Sequence, residues 1–137
     1  FASSFDVGQV INPKQIRGVV AGGVVMGIGA ALHEKVIVDA DGKIMNPHYG
    51  KYHIPKLEDA PGKQTIEFVE TPGEIGPFGA RGIGEPAMGC SVAALTSAIS
   101  DALDGHSFGR TPVSRDMIVN HVAGRPQSFK PLQTNNF

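Results

Sequence analysis

The chain has 137 residues, 12 Lys+Arg against 13 Asp+Glu, a net charge of -1, 41% hydrophobic residues and 18% charged residues. It is too apolar for a disordered tail and too neutral to attract nucleic acid or an anionic membrane, and its length fits one domain or part of one. The single Cys excludes an internal disulfide, so a reducing, cytoplasmic setting is expected. No membrane span and no signal peptide are read. The chain begins at Phe1, so either its start was removed or it is the C-terminal portion of a longer chain.

Residues 5–11 (FDVGQVI) predict a short strand stopping at an Asn12-Pro13 turn. The stretch 18–35 is small, apolar and free of proline, and its length favours a buried helix over a strand. Gly18, Gly22, Gly29 and Ala30 would let another backbone come close along it. Such a surface is too apolar to face water, so a partner surface is expected over it. Residues 34–46 predict a β-hairpin turning at Asp41-Gly42. A proline-rich excursion, 47–64, follows. Residues 65–70 alternate Ile66 and Phe68 with Glu67 and Val69, the pattern of a strand with one face buried.

Glycine is the compositional anomaly: 18 in 137 residues, about twice the usual ~7% share. The stretch 71–85 (TPGEIGPFGARGIGE) is dense enough in Gly and Pro to exclude a regular element. Pro86 then suits the first turn of a helix over 87–103, with Val92, Leu95, Ile99 and Leu103 on its buried face and Gly105 as its stop. A short helix is expected after Pro112, and residues 125–137 read as a surface tail.

The loop ending at Glu85 is the chemical lead. Glycines bring main-chain N–H groups close to a bulky ligand, and a carboxylate at the end of such a loop can act as a general base. A helix-capping acid fits the same residues. The glycines of 18–29 lack the G-x-G-x-x-G spacing of a dinucleotide site. His33, His48, His53, His106 and His121 have no zinc spacing, so no metal ligand is assigned. Cys90 is expected as a small core residue, and no nucleophile elbow surrounds Ser91 or Ser97.

GPFGARGIGEPAM (76–88), followed by SVAALTSAISDAL (91–103), closely resembles the C-terminal part of the molybdenum hydroxylases, the xanthine dehydrogenase and aldehyde oxidoreductase family. FDVGQVINP (5–13), GVVAGGVVMGIGAALHE (18–34) and DADGKIMNPHYGKYHIPKLEDAP (39–61) are similar to other stretches of that family, in the same order. The resemblance implies an α+β fold: the C-terminal portion of the second molybdopterin-binding domain over residues 1–124, with a glycine-rich helix, a β-hairpin and a glycine loop leading into a helix. It implies an oxidoreductase that hydroxylates an aldehyde or N-heterocycle C–H bond with oxygen from water, with Glu85 as general base at a Mo-bound hydroxide. Gly79, Ala80, Arg81, Gly82, Ile83 and Gly84, with main-chain contacts at Gly22 and Gly23, would hold the cofactor. That cofactor is molybdopterin with Mo, usually the cytosine dinucleotide form in bacterial members. The implied partners are the remainder of the molybdenum subunit, iron–sulfur and flavin subunits carrying [2Fe–2S] and FAD, and a small-molecule substrate. Val19 and Met26 stand where the family usually carries Gln, and no cofactor hydrogen bond is assigned to them. The competing reading is a non-catalytic subunit that packs on a larger chain.

Overall fold

The structure, a computed structural model, describes residues 1–128. Its regular elements are β1 (Ala2–Asp6), α1 (Pro13–Leu32), α2 (Tyr49–Tyr52), β2 (Thr65–Val69), α3 (Pro86–Ala102) and α4 (Arg115–Val122), with 3-10 turns at Leu57–Asp59 and Pro77–Gly79. The mixture of helix and strand agrees with the expected α+β class. Residues 125 and 126 are exposed. Gln127 Nε2 donates to the Met117 carbonyl of α4. The rest of the expected tail, 129–137, lies outside the described residues.

β1 and β2 form a two-stranded parallel sheet, Ala2 beside Thr65 through Asp6 beside Val69. Ile66 is buried and Phe68 half-buried, while Thr65, Glu67 and Val69 are exposed, so the alternation read from the sequence is the alternation of faces. The first strand lies upstream of its expected 5–11 and ends at Asp6. Gly8 has φ +65°, outside the strand region. The Gly8 N–H turns back to Asp6 Oδ1 at 3.0 Å, and that turn breaks the ladder.

α1 starts five residues earlier than its predicted onset. Asn12 and Pro13 are its cap and first residue rather than a turn. Asn12 Oδ1 accepts the Gln15 N–H at 3.1 Å, a cap worth about 1 kcal/mol. Proline at the first helical position forfeits an N–H that would be unpaired anyway. By length and composition α1 is long and apolar enough to cross a membrane, against the expectation of no such segment. Glycine and alanine lower its polarity without adding bulk, and the same residues let it pack on α3.

The core is Val20, Val24, Ile28, Ile66 and Ala87, where α1 meets the sheet and α3. The close approach runs through Gly23 and Gly27, one helical turn apart, and not through the four small residues named from the sequence. A Cβ at Gly23 would lie 2.7 Å from Ala87 Cβ, and one at Gly27 would lie 2.5 Å from Ser91 Cβ. Gly29 is tight against Pro55, whereas Gly18 and Gly22 have no neighbour within 4 Å. Because α1 meets only the first half of α3 this closely, Ala87 and Ser91 are buried, and Val92, Leu95, Ile99 and Leu103 are only half-buried. Cys90, expected in the core, is exposed.

The hairpin exists as a tight turn rather than two strands. Its ladder is a single antiparallel bridge, Val38 with Ile44. Asp39 Oδ1 accepts the N–H groups of Asp41 and Lys43. At the base, buried Asn46 accepts the Ile37 N–H at 2.8 Å and donates to the Lys35 carbonyl at 2.6 Å. Val36, Ile37, Val38, Ile44 and Met45 are all exposed on it. A lone two-stranded pair is marginal in water, and little else packs on this one.

Candidate functional site

The glycine loop is tied at both ends to the connection between β1 and α1. Gly79 has φ +71°. Its carbonyl accepts the N–H groups of Gln9 at 3.2 Å and Gly73 at 3.1 Å. Ala80 forms an antiparallel bridge with Gly8, and the Arg81 N–H donates to the Val7 carbonyl at 2.9 Å. This crossing needs glycine. A Cβ at Gly8 would collide with the Gly79 carbonyl, and one at Gly79 would lie 2.9 Å from Pro72 Cβ.

Asp6 gathers the loop electrostatically. Its Oδ2 accepts from the Arg81 guanidinium at 2.8 Å, and its Oδ1 accepts from the N–H groups of Gly8 at 3.0 Å and Thr71 at 3.4 Å. The Gly8 N–H first, and also Arg81 and Thr71, hold its carboxyl below the usual aspartate value, against the opposing effect of burial. Arg81 therefore faces a neighbouring carboxylate.

Beyond Arg81 the backbone is free. The N–H groups of Gly82, Ile83 and Gly84 have no hydrogen-bond partner among the described residues, and a Cβ at Gly82 or Gly84 would enter open space. Glu85 follows at the α3 N-cap, exposed, with φ -109° and ψ -11°. Its side chain makes no capping hydrogen bond. Ala80, Arg81, Gly82 and Ile83 line a groove of about 300 Å³ with Gln9, Ile11, Gln15 and Val19 on the opposite wall. Unpaired N–H donors with side-chain-free Gly82 and Gly84 on either side of Ile83 fit the approach of a large anionic or polar ligand such as molybdopterin.

The structure holds Gly79, Ala80, Arg81, Gly82, Ile83, Gly84 and Glu85 in one continuous segment, and Gly22 and Gly23 lie on α1, Gly23 packed on Ala87 two residues past Glu85. Within α1 a backbone N–H already donates to the preceding turn. Gly23 is buried against Ala87, and Gly22 is exposed. Sequence reasoning missed Asp6, Gly8, Gln9 and Gln15. An Asp two residues before a Gly was a signal for the side-chain-to-backbone turn at Asp6; nothing marked its pairing with Arg81. Among the described residues no group of three or more His, Cys, Asp or Glu is placed to hold a metal ion.

A family model described as a molybdopterin cofactor-binding domain matches residues 1–61. The chain is 34% identical over 125 residues to the 6-hydroxypseudooxynicotine dehydrogenase complex subunit gamma of Paenarthrobacter nicotinovorans, covering 90% of this chain and 16% of that one. It is 34% identical over 122 residues to the putative xanthine dehydrogenase molybdenum-binding subunit of Escherichia coli K12, covering 87% of this chain and 16% of that one. The crystal structure of quinoline 2-oxidoreductase from Pseudomonas putida 86 superposes with a TM-score of 0.84 at 33% identity, over 91% of this chain and 16% of that one. The chain thus spans about one sixth of the length of these relatives. It belongs to the molybdenum hydroxylase family and matches a portion of its molybdenum-binding subunit.

Proposed function

We propose that this chain supplies the general base and part of the cofactor cradle of a molybdenum hydroxylase, acting as one piece of a larger enzyme. The carrying observation is Glu85, an exposed carboxylate that caps nothing at the end of a backbone whose N–H groups are unpaired. A capping acid would bond to the helix it precedes, so the geometry favours the base over the cap.

When bound, the molybdenum cofactor supplies a two-electron acceptor and makes a water oxygen acidic enough to be deprotonated near neutral pH. Gly82, Ile83 and Gly84 present N–H donors to the cofactor, side-chain-free at the two glycines, with Gly79 and Ala80 holding the loop and Arg81 anchoring it to Asp6. Glu85 accepts the water proton at a carboxylate oxygen and releases it to solvent. Gly23 serves helix packing against Ala87, while Gly22, exposed and with no neighbour within 4 Å, stays open to a main-chain contact with the cofactor. The substrate class is an aldehyde or an N-heterocycle. The names of relatives acting on nicotine and quinoline support the heterocycle. We assign the cytosine dinucleotide form of the cofactor, [2Fe–2S] and FAD on partner subunits, and a cytoplasmic location as parts of the same reading.

The test is Glu85→Gln in the complete complex. A general base contributes on the order of 10²–10⁴ in rate, so kcat should fall at least about 10²-fold with molybdenum retained. Glu74→Gln is the control. Wild-type turnover in Glu85→Gln, or equal damage from Glu74→Gln, refutes the assignment. The alternative, a non-catalytic subunit, draws on Val19, which stands in the groove wall where the family usually carries Gln. It requires a purified complex without molybdenum.

A further inference from the structure

We propose that Asp6 is a positioning residue that fixes the glycine loop and, through Arg81, the place from which Glu85 is presented. The proposal rests on the reading of Glu85 as the base.

Glu85 is held from two sides. Downstream, α3 is locked on α1 through Ala87 against Gly23 and Ser91 against Gly27. Upstream, only Gly82, Ile83 and Gly84 separate Glu85 from Arg81, and none of the three is hydrogen-bonded among the described residues. Arg81 is therefore the last hydrogen-bonded residue before the base, with the Ile83 side chain packed against the core between them. Its main chain is tied to Val7 and its guanidinium to Asp6. Asp6 also holds the start of the loop through the Thr71 N–H, so one carboxylate ties together the two ends of the 71–81 segment.

An ordinary surface ion pair is worth little. This one differs because the same carboxylate also accepts the Gly8 N–H at 3.0 Å and, more weakly, the Thr71 N–H at 3.4 Å, so the charge is held by the main chain as well as by Arg81. Asp6 side-chain exposure is 35% and that of Arg81 is 47%, so solvent weakens the pair without separating it. A cation in a glycine loop suits an anionic phosphate or a neighbouring carboxylate, and the carboxylate here is Asp6.

The experiment is Asp6→Asn in the complete, molybdenum-loaded complex, with Arg81→Met as the second variant. Asn keeps an oxygen for the Gly8 N–H but loses the charge facing Arg81. Displacements of about 1 Å cost up to about 10²-fold, so kcat should fall between about tenfold and about 10²-fold with KM nearly constant, well below the melting temperature. Hydrogen exchange read by mass spectrometry should rise over 71–84 and stay unchanged in the middle of α1 and in α3. The double variant should be no worse than the more damaged single one, because both remove the same pair. Unchanged exchange over 71–84 in both variants overturns the clamp. So does a uniform rise in exchange with kcat intact, the signature of a merely structural role. If Glu85→Gln is fully active, the reading of the base fails, and the exchange arm still decides the clamp.

Discussion

Substituting Gly27 tests the contact on which the site's geometry depends. A Cβ there would sit 2.5 Å from Ser91 Cβ, 2.8 Å from the Met88 carbonyl oxygen and 3.3 Å from the Val92 nitrogen. Two of these three atoms are α3 backbone and cannot rotate away. Carbon contacts are optimal at about 3.5–4.0 Å, so α3 would have to withdraw by about 1 Å. Overpacking of this kind costs about 1–3 kcal/mol. Replacing a helical glycine by alanine returns about 0.5–1 kcal/mol of conformational entropy. Gly27→Ala should therefore destabilise, by up to about 2.5 kcal/mol, and Gly27→Val by more. Because α3 carries Glu85 at its start, the same withdrawal should lower kcat. The assay is calorimetric melting of the complete complex with activity measured below the transition. Gly18→Ala and Gly22→Ala, which face open space in this chain, report the helix-propensity effect without the collision. They should be neutral or stabilising where the face stays open, and destabilising where the rest of the subunit covers it. A Gly27→Ala protein melting at or above wild type would refute the packing argument.

Acid should open the loop before neutral or alkaline pH does. The folded pKa of Asp6 is depressed from its ordinary 3.8, so its contribution is complete above that value and is lost as pH falls through the lower folded value. Exchange over 71–81 should be flat through neutral pH and rise only below about pH 4, and that acid limb should be absent in Asp6→Asn; a loop already opening at pH 6 would contradict this. Asp116 is depressed in the same direction by the Ser114 and Ser128 hydroxyls, so its links to both should weaken in the same acid range, read by exchange at the start of α4, where the Met117 and Ile118 N–H groups donate to the Ser114 carbonyl. Residues 1–137 expressed alone should aggregate or fail to fold, since Ile75, Phe78, Leu57 and the hairpin residues expose large apolar surface. A sharp cooperative melt of a soluble monomer would count against that expectation.

The sequence by itself determined what depends on neighbours along the chain. Pro86 opens α3, and Gly105, at φ +86°, receives the chain just past its end. The alternation of Ile66 and Phe68 set the buried face of β2, and Asp41-Gly42 set the hairpin turn. The Glu85-Pro86 junction, with its glycines upstream, was legible for the same reason: proline and glycine restrict or free the backbone locally, whatever packs on it. Tertiary structure alone decided the rest. A helix rich in small residues offers several glycine stripes, and only the position of α3 selects Gly23 and Gly27 over Gly18 and Gly22. Asn12-Pro13 is a turn or a helix start depending on whether the apolar stretch beyond it is packed as one helix. Asp6 and Arg81 are 75 residues apart, and no local rule pairs them. They meet because the parallel pairing of β1 with β2 carries the end of one strand to the start of the glycine loop, where a carboxylate and a guanidinium stabilise each other only at contact distance.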